Sequence, residues 1–286
     1  MSLVVEPSLL DQARSDATTA AAYAGVEAVE VHDLDDLRTV SDLFSSIWGR
    51  VGDTQLVPFE LLRAMSHGGN YISAAVRDGT IVGAAFGFRA AHHGEPALHS
   101  HVLGVAGGRR SRGVGFALKQ HQRRWCLERG IQVMTWTFDP LVRPNAWLNL
   151  ARLGADVDEY LPHFYGRMDD AMNSGDSDRL LIRWDLLSDR AVAAARRDLA
   201  VADDELLDRY EPVLTDVAGA PKVVALDAGA VRCQVPDDIV GVRAKDLDLA
   251  ARWRISLREV MAPRLEDGFS VDGIHRDGWY LLSRRA

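Results

Sequence analysis

A chain of 286 residues that is 47% hydrophobic and 26% charged carries enough apolar side chains to bury one large or two modest cores. Its net charge of −8 argues against nucleic acid as the main partner, and no apolar run approaches the roughly 20 residues needed to span a bilayer. The N-terminus lacks the basic region and apolar core of a signal peptide, and Cys126 and Cys233 show neither metal nor redox spacing, so a cytoplasmic protein with reduced thiols and no bound metal is expected.

Residues 1 to about 24 end in the small-residue run ATTAAAYAG, which predicts a weakly held helical extension or a tail. VEAVEV, residues 26–31, alternates as a half-buried strand. Leu34, Leu37, Val40, Leu43, Phe44 and Ile47 then recur at helical spacing, and a second short helix follows Pro58. Two apolar segments flank Asp78-Gly79, a hairpin signal because a type I′ turn needs positive φ at both central residues. A strand follows Gly94 and Pro96. IQVMTWTF, residues 131–138, is a buried strand broken by Asp139-Pro140. A helix starts near Pro144 and ends at Gly154, and two further strands, ADVDEYLPHFYG interrupted at Pro162 and LLIRWDLL, flank a polar loop.

The stretch from Leu98 to Gly130 carries the strongest chemical signal. A strand leads into a turn with Gly107, Gly108, Gly113 and Gly115, and a long helix follows. Glycines let backbone N–H groups approach an anion, and the positive end of the helix dipole points to the same place, so the turn suits a diphosphate. Arg109, Arg110 and Arg112 add positive charge. The helix sequence ALKQHQRRWCLERG presents a basic outer face, which a solvated surface would equally explain.

The order β-α-α-β-β-β-α-β-α-β-β over residues 26–187, with Arg110-Ser111-Arg112-Gly113-Val114-Gly115 between the fourth strand and third helix, resembles the GCN5-related N-acetyltransferase (GNAT) superfamily. Arg112 also starts a matching motif; Arg110 is preferred because Val105 then supplies the apolar strand residue five positions earlier. HSHVLGV, TWTFDP and NAWLNLARLGA are similar to a branch of acetyltransferases with an extra C-terminal segment. The resemblance implies an α/β fold built on a mixed sheet, with the fourth and fifth strands splayed, plus a smaller C-terminal α+β extension. It implies acetyl-CoA as co-substrate, without a metal, and a small amine that attacks the thioester directly. Residues 1–24, 25–187 and 188–286 would then be extension, acetyltransferase domain and C-terminal extension.

Direct attack requires a base for the amine, a donor for the oxyanion and an acid for the thiolate. Strict alternation puts His99 and His101 on one face of the fourth strand with Leu103 and Val105, and His99 falls where histone-acetylating relatives carry a base. Packing would also account for either histidine. The family's usual tyrosine is missing from Asn149-Leu150-Ala151-Arg152; Tyr165 or Tyr160 could serve as acid, or no side chain need do so. Leu103, Val105, Arg109, Arg110, Ser111, Arg112, Gly113, Val114 and Gly115 are the expected cofactor-binding residues. Asn145 and Asn149, four apart, would join them from one helix face, although Asn145 equally suits a cap. Asp139 fits a turn cap better than an amine anchor, and Trp136 and Trp147 fit the core.

Beyond Ser188 an alanine-rich helix, an acidic stretch, paired strands KVVALDAG and AVRCQVP, an amphipathic helix over residues 245–261 and a hairpin around Arg276-Asp277-Gly278 are expected. This segment could be a partial second copy of the domain, a cover for the acceptor cleft, or the means of forming a homodimer. The functional expectation is an acetyl-CoA-dependent N-acyltransferase; the alternative is a non-catalytic acyl-CoA sensor or scaffold.

Overall fold

Turn chemistry places the strands. In a computed structural model, which describes residues 5–49, 55–107, 113–169 and 174–284, Asp78 and Gly79 have φ of 50° and 73°, and His93 and Gly94 repeat the geometry at 48° and 82°. Both are two-residue turns whose twist matches the flanking strands. They join β2 (Tyr71–Arg77), β3 (Thr80–His92) and β4 (Glu95–Val105) into an antiparallel meander. The chain forms two compact units, Met1–Trp136 with Asp185–Arg196, and Thr137–Trp184 with Arg197–Ala286.

In the first unit α1 (Pro7–Ala24) precedes β1 (Glu27–Glu30), α2 (Leu34–Ile47) and α3 (Phe59–His67). Asp33 caps α2 by accepting from the N–H groups of Asp35 and Asp36. The meander extends antiparallel to β1 on one side. On its other side β4 runs parallel to β5 (Val133–Phe138), which it reaches through α4 (Val114–Leu127). Leu37, Val40, Phe44 and Leu62 of α2 and α3 pack with Ile72, Ala84, Phe86 and Val102 on one face of this mixed sheet.

The N-terminal segment is not a tail. Pro7 at the first turn and Gly25 at φ 63° delimit a helix that packs along α4. Ala13, Ala17, Ala20 and Ala24 are buried, and their small side chains let the two helices approach closely. The polar run of α4 is therefore not solvated either: Lys119, Gln120, His121, Gln122 and Arg123 are all buried. Arg123 donates to Asp16 Oδ2 at 3.0 Å and to the Leu186 carbonyl at 2.8 Å; α6 (Asp189–Ala195) follows that residue. His121 Nδ1 lies 2.7 Å from the Tyr71 hydroxyl. Asp16→Ala strands a buried guanidinium that keeps one carbonyl partner, so we expect a loss of about 2 kcal/mol in urea unfolding.

In the second unit β6 (Asp156–Leu161) pairs antiparallel with β9 (Arg179–Asp185), and the short β7 (Arg167–Asp169) and β8 (Ser174–Asp176) pair with each other. The helix before β6 changes type. It runs as α5 (Arg143–Ala146) and continues as a π-helix over Trp147–Arg152. After α7 (Asp204–Leu207), a five-stranded sheet has the order β11-β10-β12-β14-β13, from β10 (Glu211–Val217), β11 (Ala220–Val223), β12 (Ala230–Gln234), β13 (Phe269–Ile274) and β14 (Trp279–Arg284). The strands expected to pair with one another, β11 and β12, are separated by β10. The terminal hairpin turns at Gly278 as expected, with φ 84°. Helices α8 (Ile239–Lys245) and α9 (Leu247–Glu266) lie between β12 and β13, and α9 buries Trp253, Leu257, Val260 and Met261.

Candidate functional site

The ladder between β4 and β5 is short. It pairs Ala97 with Val133, Leu98 with Met134 and His99 with Thr135, and β4 then continues to Val105 without β5. The parallel strands therefore fork at His99 and Thr135. His99 Nδ1 lies 3.1 Å from Thr135 Oγ1, which closes one face of the fork.

A bulge sits beside the fork. Val102 pairs with Phe86 and Ser100 with Gly87, leaving His101 as an extra residue in β4. The insertion reverses the alternation. His99 and His101 stack near Phe88, with ring centroids at 5.2 and 5.9 Å, and Phe86 is 6.0 Å from His101. Phe86 and Val102 belong to the core against α2 and α3. Val105, by contrast, pairs with Gly83, where an added Cβ would meet Val114 and Leu118 of α4 at 3.0 and 3.4 Å. Leu103 and Val105 thus point to the α4 side, and the expected common face with His99 and His101 is corrected by one inserted residue.

Burial, then His101, then Lys119 push the His99 pKa down to about 4, so the ring is neutral at pH 7 and available as an acceptor. Burial also lowers His101. On the far side of the fork, buried Lys119 donates to Ser100 Oγ at 2.9 Å.

Helix α4 starts directly after Gly113. Gly113, with φ 87°, is the cap residue, and among the described residues no side chain caps the first turn. The first-turn N–H groups and the dipole of a helix give its N-terminus partial positive charge, which suits an anion. Val114 is buried and Gly115 half-buried. Arg109, Arg110, Ser111 and Arg112 lie outside the described residues.

The second unit holds the remaining candidates. Tyr165 is exposed, with its hydroxyl 3.2 Å from Thr137 Oγ1 and the Arg179 guanidinium 5.3 Å from its ring centre. Tyr160 is buried, and its hydroxyl is committed to Asp178 Oδ2 at 2.8 Å; burial and that carboxylate raise its pKa. Asn145 is exposed while Asn149 is buried, and Asn149 lies in the π-helical segment. Asn145 caps nothing, because Val142 holds the cap position. Trp136 is buried as expected, and Trp147 only half so.

Asp139 does cap a turn, accepting from the Leu141 N–H at 3.0 Å. It also binds two buried arginines, Arg243 and Arg254, the latter at 2.8 Å. Burial alone would raise its pKa, but Arg254 and Arg243 outweigh it and bring the group to about 2. Arg258 of α9 reaches Asp178 Oδ1 at 2.7 Å in the same unit. Spacing in the sequence carries no signal for these long-range pairs.

Residues 37–154, from α2 to the end of the π-helix, match the model of the acetyltransferase (GNAT) family. The chain carries a GNAT acetyltransferase domain. The fork, the bulge and the glycine-capped α4 all fall inside this GNAT domain. No curated protein matches the sequence significantly. Similar solved structures include an aminoglycoside 6′-acetyltransferase type Ii, 19% identical over 57% of this chain and 98% of that one, with a TM-score of 0.45. Naa50 of Arabidopsis thaliana, in complex with the bisubstrate analogue CoA-Ac-MVNAL, is 17% identical over 56% of this chain and 98% of its own, with a TM-score of 0.42. yncA of Salmonella typhimurium, solved with its cofactor acetyl-CoA, is 14% identical over 63% and 98%, with a TM-score of 0.46. No helix among the described residues is long and apolar enough to cross a membrane.

Proposed function

We propose that the protein is an acetyl-CoA-dependent N-acyltransferase that moves an acetyl group to the amine of a small molecule by direct attack, with residues 25–187 as the catalytic domain and 188–286 as an extension. The observation that carries the reading is the β4–β5 fork beside a glycine-capped helix N-terminus, inside a GNAT domain. In this reading the first-turn N–H groups of α4 hold the CoA diphosphate, assisted by Arg109, Arg110 and Arg112, and the acyl arm enters the fork. His99 takes the proton of the attacking amine, directly or through water, with His101 beside it. Of the two tyrosines considered as acid for the thiolate, Tyr160 is already committed to Asp178, which leaves Tyr165 or no side chain in that role.

Free-thiol release from acetyl-CoA across a panel of amines tests the reading. A second reading, a non-catalytic acyl-CoA sensor or scaffold, draws on the absence of a tyrosine from Asn149–Arg152. Tight CoA binding without turnover on any amine would establish that reading instead. For the enzyme, His99→Ala should lower kcat by about 100-fold while CoA affinity stays within about twofold. The depressed His99 pKa also fixes a pH profile. At saturating acetyl-CoA, kcat should stay level from about pH 8 to about pH 5 and fall toward pH 4, where the ring gains its proton. A step near pH 6.5 that survives in His99→Ala would remove His99 as base.

A further inference from the structure

Since His99 and Thr135 are the last paired residues, Ser100 and Trp136 are the first residues of β4 and β5 beyond the fork. Lys119 on α4 touches both. Its Nζ donates to Ser100 Oγ at 2.9 Å and lies 3.7 Å from the centre of the Trp136 ring. Ser100 Oγ in turn donates to Gln122 Oε1 at 3.0 Å, so the serine proton is spent and its oxygen is turned to the amine. Lys119 is buried and has no carboxylate partner among the described residues. The titratable groups coupled to it are His99 on β4 and Cys126 on its own helix; β5 meets it with the indole of Trp136.

An ammonium ion has three donors to satisfy, and among the described residues this site offers one hydroxyl oxygen and a ring face. A neutral amine fits it. Burial accordingly lowers the Lys119 pKa to about 7, against a smaller opposing influence of Cys126.

We propose that Lys119 is a positioning residue for the acyl donor: its neutral amine ties the two strands together at the fork from the α4 side, and its protonation loosens the fork and weakens CoA binding. The inference rests on the acetyl-CoA reading above. Protonation demands acceptors that only entering water supplies, and water enters this closed side only if α4 or a strand edge shifts. Ser100 and Trp136 move with it, and the fork is no longer held in its binding geometry. CoA affinity then scales with the fraction of molecules that keep a neutral Lys119.

Calorimetric titration of the full chain with dephospho-CoA at pH 6, 7 and 8 tests this. That probe lacks the phosphate monoester, which itself titrates near pH 6. His99, at about 4, is silent over the interval. The wild type should bind roughly tenfold more weakly at pH 6 than at pH 8. Lys119→Met, which keeps the stem and cannot ionise, should show a flat profile. Lys119→Arg, permanently charged, should bind weakly throughout. Urea unfolding gives a readout independent of the ligand. Because the folded-state pKa lies below the unfolded one, the unfolded chain binds more protons between about pH 7 and pH 10, so wild-type stability rises with pH there and that of Lys119→Met does not. Equal pH profiles of affinity in wild type and Lys119→Met overturn the proposal even where the stability slopes differ. If the Met variant does not fold, pH-independent affinity of the wild type overturns it alone. Failure of the wild type to bind either CoA or dephospho-CoA at any of these pH values overturns the acetyl-CoA reading itself.

Discussion

Replacing Gly113 with aspartate is expected to leave the protein folded and to weaken CoA binding by at least about 100-fold. The two effects separate because they depend on different atoms. A residue with a Cβ at φ 87° is strained by roughly 1–2 kcal/mol, and aspartate is among the side chains that tolerate this region best. The added Cβ would meet Tyr23 and Ala24 at 3.4 and 3.5 Å, ordinary contact distances. A carboxylate placed here also competes for the first-turn N–H groups. Those N–H groups are the donors that a diphosphate needs, so the helix gains what the ligand loses. A fixed carboxylate within about 4 Å of a phosphate adds a repulsion of roughly 4 kcal/mol at the effective dielectric of a protein surface. Gly113→Ala carries the strain without the charge and should lose less than tenfold. Titration calorimetry with CoA and a thermal melt on both variants make the comparison. Unchanged CoA affinity in Gly113→Asp would remove the α4 N-terminus from the cofactor site.

Asp139→Ala should cost about 3–5 kcal/mol, the largest stability loss of any single substitution considered. The carboxylate is the shared partner of Arg243 and Arg254, and its removal takes a charge partner from two buried guanidinium groups at once. Protonation does the same work more gently. The folded-state pKa of about 2 lies below the ordinary value of 3.8, so the pair's contribution is complete above about pH 4 and is lost as the pH falls through 2. That interval corresponds to about 2 kcal/mol, less than the mutation removes, because a protonated carboxyl still accepts hydrogen bonds from the guanidinium groups. Urea midpoints of wild type and variant at pH 7 and pH 3 measure both. A variant as stable as wild type at pH 7 would mean that the arginines find other partners.

Element order was legible because it is punctuated locally. Asp78-Gly79, His93-Gly94, Asp139-Pro140 and Gly154 each stop or turn the chain by backbone chemistry that needs no knowledge of the rest of the fold. The helix after Gly113 was legible for the same reason. What escaped depends on partners distant in sequence or on a single inserted residue. Alternation from His99 to Val105 reads as one continuous face, and nothing in those side chains marks His101 as the residue that breaks the ladder. The polar run of α4 reads as a solvated face, since the groups that meet it, Asp16 of α1, Tyr71 of β2 and Ser100 of β4, lie far from it in the chain. The change from α- to π-helix at Trp147 left no mark in the spacing of Asn145 and Asn149. Asp139 was legible as a turn cap, but Arg243 and Arg254 are more than a hundred residues away and make its second role invisible to local pattern.

The two cysteines give the protein a pair of internal clocks. Cys126 belongs to the first compact unit and Cys233 to the second, and neither is exposed in the native chain. Burial raises both thiols, that of Cys233 to about 12, so they are both hidden and unreactive at neutral pH. Thiol-release kinetics can therefore be followed without a background from the protein itself. In a pulse of alkylating reagent, each cysteine is modified only when its own unit opens, and peptide masses tell the two apart. Asp16→Ala should hasten labelling at Cys126 and Asp139→Ala at Cys233. The ratio of the two rates measures how far the units unfold as one.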